Sequence, residues 1–167
     1  MQSIKFLESM ANLRVVLKRA TGRTPSAQVA RDIAACLQQG RLFFEIAASA
    51  PLQVQPLQIY YGMVGFAKAI ILARSVSSIA TIAQSHGLSD ISQQNMRIEN
   101  LCLRFQRRGV FQQFNDTVAA LGRVNYFDDF GAHKSVVKPF DQAGSLTDGV
   151  STLKEILARV PGLQMLY

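Results

Sequence analysis

The sequence predicts a mainly α-helical compact domain spanning residues 1–167, with one central apolar helix and one small β element near residues 96–106. Three observations predict it. From Leu57 to Arg74 apolar side chains cover the whole helical circumference, with Leu57, Tyr61, Val64 and Ile71 on one side and Ile59, Met63, Phe66, Ile70 and Ala73 on another, the pattern of a central bundle helix. Val29, Ile33, Cys36, Leu37, Phe43, Phe44 and Ala47 recur at spacings of three and four, which marks a second long helix. The stretch 96–105, MRIENLCLRF, alternates in part and reads as a strand.

The remaining elements follow in order. Residues 2–20 carry Ile4, Leu7, Met10, Leu13 and Leu17 among basic residues, an amphipathic helix ended by Gly22. Thr24-Pro25-Ser26 is a turn with Ser26 as N-cap of the next helix. Gly40 inside that helix costs about 1 kcal/mol relative to Ala, which close approach of another helix would compensate. Arg41 and Glu45 are four apart and can pair on its outer side. Pro51 ends the helix, and Pro56 suits the first turn of the apolar one; Gly62 and Gly65 would let a neighbour approach it closely. Ser75–Gln84 is a short helix or a polar loop. Arg107-Arg108-Gly109 is a turn, residues 110–121 return to helical spacing, and 122–149 form an irregular region or a hairpin. Ser151–Val160 is a short helix capped by Ser151 or Thr152 and stopped by Pro161-Gly162.

With 167 residues, 49% of them hydrophobic, the chain can bury a real core, removing roughly 70% of its unfolded surface. Charged residues are only 17%, below the ordinary quarter, which suggests a surface covered in part by a partner or by further chain. The net charge of +7 is uneven. Lys5, Arg14, Lys18, Arg19, Arg23 and Arg31 face Glu8 alone in residues 1–31, and Arg97, Arg104, Arg107, Arg108 and Arg123 form a second group. Such clusters either neutralise nucleic-acid phosphates or are solvated faces; sequence leaves both open. The candidate nucleic-acid contacts are Arg14, Lys18, Arg19, Arg23, Arg104, Arg107 and Arg108.

Cys36 and Cys102 sit among apolar neighbours without metal-ligand spacing and read as small core residues, which fits a reducing, cytoplasmic location. The start has no signal-peptide pattern. The longest apolar run, Ile59–Ala73, has 15 residues including Lys68, short of the ~20 that span a bilayer, so no membrane segment is expected.

Lys68 is an ammonium on an apolar helix and needs a partner or an exit to water. It is either a catalytic lysine or a structural one, with Glu45 and Asp90 as candidate partners. His86, four residues before Asp90, is a general base or a loop cap. Asp128, Asp129 and His133 could ligate a divalent metal, but spacing this generic is weak support, and no metal or other cofactor is expected. Phosphate-loop, dinucleotide-fingerprint, HExxH and GxSxG patterns are absent, as is an Arg followed by His after four to six residues.

The segments Arg41-Leu42-Phe43-Phe44, Pro51-Leu52 with Pro56, Tyr60-Tyr61-Gly62-Met63, Lys68-Ala69 through Leu72, and His86-Gly87-Leu88 occur in that order. Together with Arg107-Arg108-Gly109-Val110-Phe111 and the Leu157–Leu163 tail, this set resembles the YaaC-like proteins of bacteria. The match is best over residues 41–111, and residues 1–40 carry none of the quoted motifs. Family members continue through a second helical half of comparable size. The resemblance implies a helical fold and brings no activity with it.

The primary expectation is a non-catalytic interaction subunit that buries surface against a protein partner or a copy of itself. A basic nucleic-acid-binding component, accessory to a nuclease or ATPase in an antiviral defence system, is the alternative. An enzyme built on Lys68, His86 and Asp90 is the third, and it requires the three to share one pocket.

Overall fold

The helix signals of the N-terminal half become four helices: α1 (Gln2–Leu7), α2 (Met10–Thr21), α3 (Ala27–Ser49) and α4 (Gln55–Ser75). The computed structural model describes residues 2–119, 123–127, 132–137 and 148–158. The chain divides into two units, residues 1–82 and 83–167.

In the first unit the caps act where the residues place them. Gly22 adopts the left-handed conformation (φ 72°) and its N–H donates to the Lys18 carbonyl, closing α2. The Ser26 hydroxyl accepts from the Val29 N–H at 3.2 Å and opens α3, and Pro56 lies in the first turn of α4. The helix expected over 2–20 is instead two, broken at Glu8-Ser9. Ser9 is extended (φ −74°, ψ 120°), and this bend brings the Glu8 carboxylate onto Arg41 of α3.

Gly40 has the neighbour its cost calls for. A Cβ at Gly40 would stand 2.8 Å from the Phe66 ring, one at Gly62 would stand 2.7 Å from the Phe44 ring, and one at Gly65 would stand 2.9 Å from Gly40 Cα. Helices α3 and α4 therefore cross backbone to backbone and antiparallel, with Phe43 stacked on Tyr61 and Phe44 on Phe66 at centroid separations of 5.5 and 5.6 Å. Leu13 and Leu17 of α2, Ala30, Ile33, Ala34 and Cys36 of α3, and Ala69, Ile71 and Leu72 of α4 are buried. The long apolar helix is thus present, but its burial is one-sided. By length and composition it is also apolar enough to cross a membrane, a test that core helices of soluble proteins pass too, and 28% of its most apolar window is buried. After α4, Val76 takes a left-handed cap and residues 79–81 make one 3-10 turn.

The second unit holds the β element, and it is larger than expected. Strands β1 (Leu88–Asp90), β2 (Cys102–Phe105) and β5 (Val150–Thr152) form an antiparallel sheet in the order β1-β2-β5. The strand expected over 96–105 is confined to its second half; Ile98–Asn100 is a 3-10 turn, and Ile98 faces solvent. Helix α5 (Val110–Ala119) starts at the predicted residue. Strands β3 (Arg123–Phe127) and β4 (His133–Val137) pair antiparallel, as the hairpin alternative has it for the described residues of this region. Helix α6 (Leu153–Leu157) is opened by Thr152, whose side chain accepts from the Glu155 N–H while Glu155 reaches back to the Thr152 N–H, a capping box. Pro161-Gly162, Asp128, Asp129, Phe130 and Phe140 lie outside the described residues. The fold is mainly α with a small β element.

Candidate functional site

The three candidate acid–base residues are divided between the units: Lys68 on α4 in the first, His86 and Asp90 in the second. Asp90 ends β1, and its carboxylate accepts the Ser92 N–H at 2.8 Å. That turn, with the Ser92 hydroxyl contributing most, holds the Asp90 pKa below its ordinary value. Lys68 is half-buried and makes no ion pair among the described residues. Its expected partner Glu45 is taken by Arg41 at 2.7 Å. Lys68 instead acts electrostatically on Cys36, whose thiol burial pushes up and the lysine charge partly restores. A thiol so placed stays protonated and packs. No group of three or more His, Cys, Asp and Glu side chains suited to a metal occurs among the described residues.

Arg41 is not on the outer side. It is 8% exposed, and its guanidinium donates to both carboxylate oxygens of Glu8 and to Glu45. The Arg41 hydrogen bonds hold Glu8 below its ordinary 4.5, with burial opposing them, and they raise Arg41 itself. This clamp fastens α1 to α3. Since the folded pKa of Glu8 is depressed, its stabilisation is complete above 4.5 and is lost as pH falls through the folded value. A Glu8→Gln variant should therefore melt below wild type by a constant margin above about pH 6, with the margin closing below pH ~4.5. Thermal melts across that range check it, and a pH-independent margin would contradict it.

The two basic groups also fall in different units. Arg14, Lys18, Arg19 and Arg23 are exposed, and none makes an ion pair among the described residues. Arg104 and Arg108 are exposed in the second unit, while Arg107 pairs with Asp148 at 3.0 Å on the surface, an arrangement worth little in stability.

Sequence reasoning missed an arrangement in the second unit. The backbones of Gly87 and Gly109 touch: a Cβ on Gly109 would overlap the Cα and N of Gly87. Around this crossing Val110 N–H donates to the Ser85 carbonyl (2.9 Å), Phe111 N–H to the His86 carbonyl (3.0 Å) and Gln106 N–H to the Gly87 carbonyl (2.9 Å). The Ser85 hydroxyl donates to the Arg108 carbonyl at 3.2 Å, and Phe105 stacks on Phe111. The loop carbonyls thus satisfy the first N–H groups of α5, which have no intrahelical acceptor. Gln112 lies beside Gly87, buried and without a hydrogen-bond partner for its amide among the described residues. The His-Gly-Leu and Arg-Arg-Gly-Val-Phe motifs, 22 positions apart at their glycines, are one structural knot.

The YaaC-like Protein family matches the chain over residues 5–167. The chain belongs to that family. The YaaC-like region takes in residues 5–40, which carry none of the motifs behind the resemblance but supply α2 and the Glu8 side of the clamp. Comparison with curated proteins and with solved structures finds no match.

The largest unexplained feature of this YaaC-like chain is apolar. No charged residue occurs from Ile46 to Ala67. Opposite its glycine face, α4 exposes Leu57 (53%), Tyr60, Met63 (59%) and Ile70 at helical spacing, and the α3–α4 turn exposes Leu52 (77%) and Val54. On α3, Leu42 and Ile46 border an open groove of about 640 Å³ that also involves Asp32, Cys36, Phe43 and Ile79. Periodicity marked these side chains as apolar; only the fold shows which of them are uncovered.

Proposed function

We propose that this chain is a non-catalytic helical interaction subunit of a bacterial protein complex, docking through the apolar face of its α3–α4 hairpin. The observation that carries the reading is the uncharged span Ile46–Ala67 with its exposed Leu52, Leu57, Tyr60 and Met63. Contiguous apolar surface of this kind marks interaction sites. Aromatic residues and Met are enriched, and charged residues depleted, at interface cores. Of the chemical groups nearby, the Cys36 thiol is buried and the Glu45 carboxylate is held by Arg41.

Sedimentation velocity at micromolar concentration, alone and with proteins co-purified from the native host, tests it. The expected result is an assembly larger than the monomer that dissociates in a Leu57→Asp/Met63→Asp variant of unchanged melting temperature. A monomer that recovers no partner would sink the proposal. So would partition of the wild-type chain into neutral phospholipid vesicles in place of a protein assembly, because α4 would then be meeting lipid.

A further inference from the structure

From Ser9 to Arg31 the chain contains no Asp or Glu and five cations, Arg14, Lys18, Arg19, Arg23 and Arg31. The flanking acids are occupied elsewhere, Glu8 by Arg41 and Asp32 by the Gln28 side chain and the Ile79 N–H, and none of the five cations makes an ion pair among the described residues. Arg14 and Lys18 are one turn apart on α2, and with Ala11, Val15 and Thr24 they line a cleft of about 260 Å³. One turn on, Gly22 closes α2 and the chain passes through Arg23 to Thr24, which also lines the cleft.

We propose that this cleft binds the phosphodiester backbone of a nucleic acid, without reading its bases. Cations without an ion-pair partner at the rim of a cleft suit phosphate oxygens, and the gain comes from counterion release. Phosphate contacts of this kind position a duplex and carry no sequence information. Among the described residues none that lines the cleft is aromatic, so none offers a base a stacking platform. An anionic membrane is the less favoured polyanion. A helix that lies in the lipid interface spends its large apolar side chains there, whereas α2 buries both of its leucines, Leu13 and Leu17, in the protein core and leaves the smaller Val15 and Val16, with Met10, exposed. The proposal concerns a different surface from the hairpin face and does not rest on the reading given for that face.

Fluorescence anisotropy of the full chain with a labelled 20-base-pair duplex, titrated in salt, tests it. If Arg14, Lys18, Arg19 and Arg23 each neutralise one phosphate, log affinity should fall with log salt with a slope of about −3.6, or roughly 150-fold between 50 and 200 mM. Arg14→Ala/Lys18→Ala should halve the slope to about −1.8, leaving roughly a 12-fold loss over the same range. Duplexes of unrelated sequence should bind alike. Arg104→Ala/Arg108→Ala in the second unit and Leu57→Asp/Met63→Asp on the hairpin should leave the slope unchanged, which separates failure here from failure of the interaction reading. Absence of binding at 50 mM salt overturns the proposal. A slope unmoved by Arg14→Ala/Lys18→Ala does the same, as does binding to phosphatidylserine vesicles by a chain that ignores the duplex. Because both replaced side chains are exposed, the variants should melt with wild type, and that melt confirms that the comparison is made on folded protein.

Discussion

A Gly109→Ala variant is expected to lose more than about 3 kcal/mol of stability, above the usual range for overpacking. The added Cβ would lie within contact of Gly87 Cα, Gly87 N and the His86 carbonyl carbon, the last at 2.9 Å. All three are backbone atoms. A side chain could rotate out of the way, but here two chain segments must separate. Separation stretches the bonds from Val110 to Ser85, from Phe111 to His86 and from Gln106 to Gly87, and a buried N–H left without an acceptor costs about 1–3 kcal/mol. Gly87→Ala should be damaging by a second route. Its φ of +86° penalises any L side chain by about 1–2 kcal/mol, and its Cβ would approach Gly109 Cα to 3.1 Å. Urea unfolding followed by circular dichroism, with amide exchange at Val110 and Phe111, reads both effects. Arg108→Ala, an exposed neighbour, is the control and should stay within about 0.5 kcal/mol of wild type. A Gly109→Ala midpoint equal to that of the control would show that the crossing does not exist as described.

The features legible in the sequence were those decided by residues close together along it. Ser26 caps α3 because, at the first residue before a helix, a hydroxyl reaches the N–H three positions on, and Gly22 stops α2 because it accepts the left-handed turn. Gly40 was legible as well: a helix-breaking residue in the middle of a strong helix implies a compensating neighbour, and Phe66 and Gly65 provide it. The features that were not legible depend on distant residues. Glu8 and Arg41 are 33 positions apart, and nothing local distinguishes Glu8 from a solvated acid. The knot of Gly87 and Gly109 was visible only as two separate motifs. Strand β5 pairs with β2 through Cys102 opposite Thr152, a pairing that three residues of pattern cannot specify.

The candidate surfaces divide in the same way. The cations of α2 and the uncharged span Ile46–Ala67 can be counted directly. Periodicity showed that α4 is apolar all round, which says what each face would prefer and not what covers it. Coverage is a tertiary fact. Here α3 takes the small-residue face, and the face with Leu57, Met63 and Ile70 is left exposed. The sequence likewise lists Arg14, Lys18 and Thr24 without showing that the turn after α2 brings the threonine to the same cleft.

Gly65→Val should show how strongly that division of faces is enforced, with an expected loss at or above about 3 kcal/mol. A Cβ at Gly65 meets Gly40 Cα and N at 2.9 Å and the Cys36 carbonyl at 3.1 Å, so the obstacle is again backbone. The helices can only move apart, which would also unseat Phe44 from Gly62 and Phe66 from Gly40. Gly65→Ala carries the same first atom without the branch and should fall between wild type and Gly65→Val. Met63→Ala, two residues away on the exposed face, should stay within about 0.5 kcal/mol of wild type. That contrast separates α4 into a face that folding requires and a face that folding leaves unused. If Met63→Ala proved as costly as Gly65→Val, the exposed face would already be buried within the folded chain and would not be available for docking. A graded loss at Gly65 with indifference at Met63 would show that the large apolar side chains on that side of α4 are not there for folding, as the docking proposal requires.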